Sequence, residues 1–400
     1  MRRYDCLKVI APLIADSLVI TNLANTATEW RSVRPHEGNL YFVGMGMVTP
    51  YAAGLAMALP NRRVLALDGD GGILFDLSIL GILAQTAPTN LCVVVFDNEG
   101  YASTGGWPST ASLTAGPVDI EAVARGSGIT SAHTVRSLDA LVAAVEAAYR
   151  GLGPSLIVAK VNKEQAFVGP TPMDSKENKY RFVRHIEQTE NRIILRPSSK
   201  EHGAAPKADP DLSAVSGNES FAAILFEGLK ENDVDFVVGL PCSGLSAAQA
   251  MCMKAQSMRY VAVAHEGTGL GLCAGAWLGG KRPAALMENF GLFAGAYHLL
   301  RGHYSYGIPT LIVLEFRGDS GDQEFFAESG EMTEPLLAAA RVNYRVVRDI
   351  GKLKPAIRDG LRWMDFAMRP YAVVPAYELT RLKGGGEASR SRHQGEVDDR

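Results

Sequence analysis

Short apolar runs alternate with longer amphipathic stretches along the whole chain. In the first half VLALD (64–68), LCVVVF (91–96) and SLIVAKV (155–161) have the length and the Val, Ile and Leu content of strands buried on both faces. A helix-length segment from Phe75 to Ala87 separates the first two, the rhythm of parallel β-α-β units. The opening MRRYDCLKVIAPLIADSLVI reads as an amphipathic helix; Lys8 and Asp16 interrupt its apolar stretch and no small-residue cleavage site follows, so a secretory leader is not expected. After a helix over about 220–232, the pattern restarts with VDFVVGL, YVAVAH, RPAALM, TLIVLEF and YAVVPAY as strands. These elements predict an α/β protein built from two doubly wound parallel-sheet domains.

Between the two patterns lies RPSSKEHGAAPKADPDLSAVSGNES (196–220), rich in Ser, Ala, Pro, Gly and charge and without apolar period, as a linker should be. The expected layout is a first domain over 1–190, a linker over 191–217, a second domain over 218–383 and a disordered tail over 384–400. No residue-level repeat relates the halves. At 400 residues the chain exceeds what one core usually holds, which agrees with the division. A formal net charge of -3 argues against a partner recognised through phosphate neutralisation along a nucleic acid, so a small molecule is expected. Cys6, Cys92, Cys242, Cys252 and Cys273 form no C-x-x-C pair and read as buried thiols of a reducing, cytoplasmic setting. No apolar run reaches the roughly 20 residues of a membrane span.

Two turns carry candidate chemistry. In a parallel α/β sheet ligands bind outside the carboxyl ends of strands, and Gly69-Asp70-Gly71-Gly72 and Asp97-Asn98-Glu99-Gly100-Tyr101 both leave from such ends. The glycines let backbone approach an anion closely, and the following helix offers free N–H groups to phosphate. Asp70 beside a phosphate is repelled unless a cation lies between them. Magnesium resolves this, because it takes about six oxygens and commonly bridges a carboxylate and phosphates. Asp70, the Asn98 amide oxygen and the Gly100 carbonyl would contribute to such a shell. Taken singly, each turn reads more readily as an ordinary Gly/Asp/Asn turn than as a metal site. Their joint spacing is the informative feature.

Gly69-Asp70-Gly71 followed by Asp97-Asn98 is similar to the signature of thiamine diphosphate enzymes. The resemblance implies Asp70, Asn98 and the Gly100 carbonyl as metal ligands beside the cofactor's diphosphate. It implies cofactor contacts from Gly69, Gly71, Gly72 and Tyr101, and support for the cofactor's bend from Gly44, Met45 and Gly46 in VGMGMVTPYAAGLAMALP. Such enzymes also need a carboxyl group against the pyrimidine ring; HEGTGLGLCAGAWLGGKRP (265–283) follows a strand and offers Glu266, which taken alone would read as an acid at a helix N-terminus. GLPCSGL, the Glu266 segment, MENFGL and YGIPTLIVLEFRGD resemble the pyrimidine-binding domain of phosphonopyruvate and sulfopyruvate decarboxylases, and FDNEGYASTGGWPS resembles their diphosphate-binding domain.

The resemblance implies a thiamine diphosphate- and Mg2+-dependent lyase that decarboxylates a 2-oxo acid to an aldehyde, with sites between chains of a homodimer or homotetramer. Two departures qualify it. The diphosphate domain comes first, as in transketolase-like enzymes, and the family's Gln-Asn-Ser-Gly-Leu-Gly-Asn stretch reads Glu288-Asn289-Phe290-Gly291-Leu292-Phe293-Ala294 here. Glu288, Phe290 and Phe293 do not suit a dianionic phosphonate or sulfonate tail. Ser243, His265, Glu288, Asn289, Phe290 and Phe293 are the candidates for substrate contact, and His265, His298 and His303 for proton transfer. A carboligase, a transketolase-like enzyme and a non-catalytic thiamine diphosphate-binding protein are the alternative readings.

Overall fold

The computed structural model describes residues 1–14, 16–23, 25–101, 104, 110–170, 173–195 and 220–381. Residues 196–217 of the expected linker and the expected tail lie outside the described residues. The first half runs α1 (Arg3–Ile10), β1 (Leu18–Asn22), α2 (Asn25–Val33), β2 (Asn39–Val43), α3 (Val48–Ala58), β3 (Val64–Gly69), α4 (Asp70–Phe75), α5 (Ser78–Thr86), β4 (Leu91–Asp97), α6 (Ile120–Gly126), β5 (Ser131–Val135), α7 (Leu138–Arg150), β6 (Ser155–Lys160) and α8 (Ser175–Glu190). The second runs α9 (Phe221–Lys230), β7 (Phe236–Gly239), α10 (Ser246–Lys254), β8 (Arg259–Ala262), α11 (Glu266–Leu278), β9 (Pro283–Glu288), α12 (Asn289–Ala294), α13 (Ala296–His298), β10 (Leu311–Glu315), α14 (Ala327–Ala339), β11 (Asn343–Val347), α15 (Leu353–Ala367), β12 (Tyr371–Pro375) and α16 (Tyr377–Thr380).

Each half holds a six-stranded parallel sheet, ordered β2-β1-β3-β4-β6-β5 and β11-β12-β10-β9-β7-β8. Read from its other edge, the second order is the first with every strand number raised by six. The halves are therefore the same topology twice, although no residue pattern repeats between them. In each, the chain reverses its direction of travel across the sheet between the first and third strands, which is where parallel α/β sheets open a crevice at their carboxyl ends.

The two sheets meet through the equivalent helices α3 and α11, in which every residue is buried. Their contact is backbone on backbone. A Cβ on Gly54 would overlap the Leu272 carbonyl, and one on Gly275 would overlap the Tyr51 carbonyl. Only glycine allows this approach, which explains the small-residue sequence of both helices. Polar ties cross beside it: Tyr306 Oη donates to the Tyr41 carbonyl (2.7 Å), and the buried Lys179 Nζ to that of Gly307 (2.9 Å). Burial in this seam pulls the Lys179 ammonium down to about 7. The two halves of the one chain thus pack on each other through α3 and α11.

Two element assignments differ from the sequence reading. The amphipathic helix ends at Ile10 and passes through a tight turn over Ala11–Ile14 into β1, a central strand. Pro12 cannot continue the helical bonding, and Leu18-Val19-Ile20-Thr21 favours the extended state. The helix expected over Phe75–Ala87 begins later, at Ser78, after a break from α4 where the Asp76 carboxylate takes the Ser78 hydroxyl (2.7 Å) and that of Thr268 across the seam.

Candidate active site

The first turn stands where β3 hands over to α4, beside the end of β1, at the crevice of the first sheet. A cleft there is lined by Asn22, Met45, Gly69, Asp70, Gly71, Gly72, Asn98, Gly100 and Tyr101, so the structure brings together residues from four separate stretches of sequence. Arg3, Asn25 and Thr26 also face it. Glycine is required at two of these positions: a Cβ on Gly71 would enter the Tyr101 ring, and one on Gly72 would enter the Asp68 carboxylate. Burial raises the Asp68 carboxyl to about 6, held by the Thr49 hydroxyl (2.8 Å).

Asp70 is 3% exposed and makes no ion pair among the described residues. Burial raises its carboxyl, the Ser112 hydroxyl opposes, and the Asp97 carboxylate raises it further. Thr114 Oγ1 joins the two carboxylates, 2.8 Å from Asp97 Oδ1 and 3.1 Å from Asp70 Oδ2. Asp97 is neutralised by Lys160 Nζ at 2.6 Å; Asp70 is not. The Asp97-to-Tyr101 turn is held by the returning segment, with the Tyr101 N–H on the Thr110 carbonyl (2.7 Å) and that of Ser112 on the Glu99 carbonyl (3.0 Å). A buried carboxylate lacking a counter-charge, with an amide oxygen and carbonyl nearby, fits a hard cation. Among the described residues no cluster of three or more His, Cys, Asp or Glu side chains could hold a metal alone. A cation here would therefore need the Asn98 amide, a backbone carbonyl and oxygens of its own ligand.

Glu266 opens α11 at the end of β8, the position in the second half that matches the Gly44–Met47 turn before α3. Glu266 is 7% exposed, and its carboxylate carries no hydrogen bond or ion pair among the described residues. Gly291 packs directly on it, since a Cβ there would lie 2.5 Å from Glu266 Cγ. Phe75, at the end of α4, fills the place a Cβ would take on Gly46, whose φ is +75°, and its ring lies 6.1 Å from that of His298. A Cβ on Gly267 would in turn overlap His298 Nδ1. A continuous run of contacts therefore joins Met45 and the Asp70 turn to Glu266 across the seam.

The substrate candidates divide. Ser243 Oγ accepts from Arg381 (3.3 Å) and Arg317 (3.5 Å), and Arg317 is held by two bonds to Asp322. Glu288 immediately precedes α12, half buried and with no capping bond from its side chain; burial raises its carboxyl, as do Glu315, Glu266 and Asp322, while Arg317 lowers it. Phe290 and Phe293 are 39% and 36% exposed on α12, and His265 is half buried before α11. Asn289 is different: its Nδ2 is spent on the Arg317 and Ser329 carbonyls and the Thr333 hydroxyl, which makes it a brace for the loop after β10. His303 is likewise occupied within the core, by the Leu270 and Ile308 carbonyls. Sequence reasoning missed Asn22, because it placed β1 in a helix, and Ser112 and Thr114, whose hydroxyls have no spacing signal.

Among known proteins, the model of the thiamine pyrophosphate enzyme C-terminal TPP-binding domain matches residues 23–159. Sulfopyruvate decarboxylase subunit beta of Methanothermobacter thermautotrophicus is 33% identical over 187 residues, 46% of this chain and 96% of that one. Subunit alpha of sulfopyruvate decarboxylase from Methanococcus maripaludis is 30% identical over 121 residues, 30% of this chain and 72% of that one. Benzoylformate decarboxylase from Polynucleobacter necessarius superposes with a TM-score of 0.53 at 14% identity, covering 96% of this chain and 100% of that one, which shows a common fold. No helix among the described residues is long and apolar enough to cross a membrane.

Proposed function

Because this chain belongs to the thiamine diphosphate-dependent family of sulfopyruvate decarboxylase, we propose that it decarboxylates a 2-oxo acid with thiamine diphosphate and Mg2+, releasing carbon dioxide and an aldehyde. The observation that carries this reading is the buried, counter-charge-free Asp70 on one sheet and the buried, unpartnered Glu266 on the other, closed together by α3 and α11. When bound, the cofactor supplies an electron sink into which a carboxylate-bearing carbon can release carbon dioxide.

The residues then divide the remaining work. Asp70, Asn98 and the Gly100 carbonyl would hold Mg2+, and Gly69, Gly71, Gly72 and Tyr101 would receive the cofactor's diphosphate. Gly44, Met45 and Gly46 support the cofactor's bend. Glu266 holds a proton at the pyrimidine ring in a water-poor seam, where its effect is strongest. Ser243, with Arg317 and Arg381 behind it, receives the substrate's carboxylate side, while Glu288, Phe290 and Phe293 face its tail. The relatives named as sulfopyruvate decarboxylase subunits alpha and beta are separate chains; here one chain carries both parts.

The test is purified protein with thiamine diphosphate, Mg2+ and a panel of 2-oxo acids, following carbon dioxide and products by mass spectrometry. Cofactor-dependent carbon dioxide with the matching aldehyde supports the reading. Coupling products without free aldehyde, appearing only when a second aldehyde is added, would favour a carboligase.

A further inference from the structure

Three histidines crowd the start of α11, and their surroundings separate them. His303 has hydrogen bonds for both ring nitrogens and is a core residue. His265 is half buried, ahead of α11. His298 is 2% exposed, and neither of its ring nitrogens makes a hydrogen bond. Burying a polar group without a partner costs on the order of 1–3 kcal/mol, so a phenylalanine would serve packing better at this position.

Its location gives the polar ring a use. His298 is the last residue of α13 and sits in an aromatic box of Phe75 (6.1 Å), Tyr297 (5.6 Å) and His265 (5.6 Å). On one side is Gly267, the neighbour of Glu266, whose missing Cβ leaves the space that His298 Nδ1 occupies. On the other is the Phe75 ring, which fills the space a Cβ would take on Gly46, the neighbour of Met45. The ring therefore bridges the two turns that flank the proposed cofactor site, one from each half. Burial holds the imidazole neutral, lowering it to about 4; Asp76 opposes this, and His265 and His303 add to it. A neutral imidazole can place its single N–H on either nitrogen.

We propose that His298 is a positioning residue: its N–H donates to the Gly46 carbonyl once cofactor is bound, fixing the Met45 turn against Glu266. Hydrogen bonds of this kind are often long in unliganded sites and tighten in the complex. The inference rests on the reading that Met45 and Glu266 flank the bound thiamine ring. A misplacement of about 1 Å between such groups can cost about 100-fold in turnover.

The experiment compares wild type, His298→Phe and His298→Gln by calorimetric binding of thiamine diphosphate with Mg2+, by kcat and KM on the best 2-oxo acid, and by thermal midpoint. It adds NMR of the histidine ring N–H protons with and without cofactor. Expected for His298→Phe is a thermal midpoint no lower than wild type, a kcat about 10–100-fold lower, and a KM within about twofold. His298→Gln, which keeps an N–H donor, regains a large part of the lost kcat. In wild type, a His298 N–H signal becomes protected from exchange when cofactor is added. A folded His298→Phe with wild-type kcat would overturn the inference, and so would an N–H signal indifferent to cofactor, a result that stands even if the Phe variant fails to fold. A wild type that does not bind thiamine diphosphate would instead overturn the reading beneath it, and the inference with it.

Discussion

Gly275→Ala puts the architecture under direct strain. The added methyl group would overlap the Tyr51 carbonyl and lie 2.8 Å from the Leu55 nitrogen, and both obstacles are backbone of a fully buried helix that no rotamer change can move. Relief requires α3 and α11 to separate. Overpacking of this kind costs about 1–3 kcal/mol, while exchanging glycine for alanine inside a helix returns up to about 1 kcal/mol. The net expectation is a loss of about 1–2 kcal/mol, read as a fall of a few degrees in thermal midpoint. Gly81→Ala is the control: Gly81 lies within α5 with nothing within 4 Å of its added Cβ, so only the helix-propensity gain applies and the midpoint should rise. Because the turns carrying Met45 and Glu266 open these two helices, Gly275→Ala should also weaken thiamine diphosphate binding in calorimetry, and Gly81→Ala should not. A Gly275→Ala protein as stable as the Gly81→Ala protein, with wild-type cofactor affinity, would refute the helix contact as the element that builds the site.

Asp70→Ala and Asn98→Ala should each weaken Mg2+-dependent retention of thiamine diphosphate by an order of magnitude or more, and calorimetry with Mg2+ and with a chelator is the check. If α3 and α11 close the site within one chain, coexpressed Asp70→Ala and Glu266→Gln chains should show no more activity than either variant alone; if the sites form between chains of a dimer, activity should recover toward a quarter of wild type. Sulfopyruvate and phosphonopyruvate should give kcat/KM values at least ~10-fold below the best less anionic 2-oxo acid, since Glu288 and Glu315 face Arg317 with Asp322 already paired to it, and steady-state kinetics across the panel decides this.

The strands legible in the sequence are those whose residues are apolar on both faces, such as β3, β4 and β10, where no other element offers the same burial. The edge strands β5 and β11 escaped because only two and one of their five residues, respectively, are buried, which leaves no apolar run. The doubling of the topology escaped for a different reason: strand order is a property of connections and handedness, which unrelated sequences can satisfy equally. Within the site, Asp70, Asn98 and Glu266 could be named because turn chemistry at strand ends is local. The role of Asn289 as a brace, the isolation of His298 and the meeting of the halves in one chain depend on residues far apart in sequence, and no spacing announces them.

On the proposed reading this chain uses bound thiamine diphosphate, with Glu266 as the acid at its ring, to remove carbon dioxide from a 2-oxo acid. Carbon dioxide release by wild type and Glu266→Gln, both first shown by calorimetry to bind thiamine diphosphate and Mg2+, tests it most directly. The account predicts cofactor-dependent release by wild type and a loss of most turnover, about 100-fold or more, in a variant that still binds cofactor. Equal release by the two proteins, or release that does not require thiamine diphosphate, would contradict it.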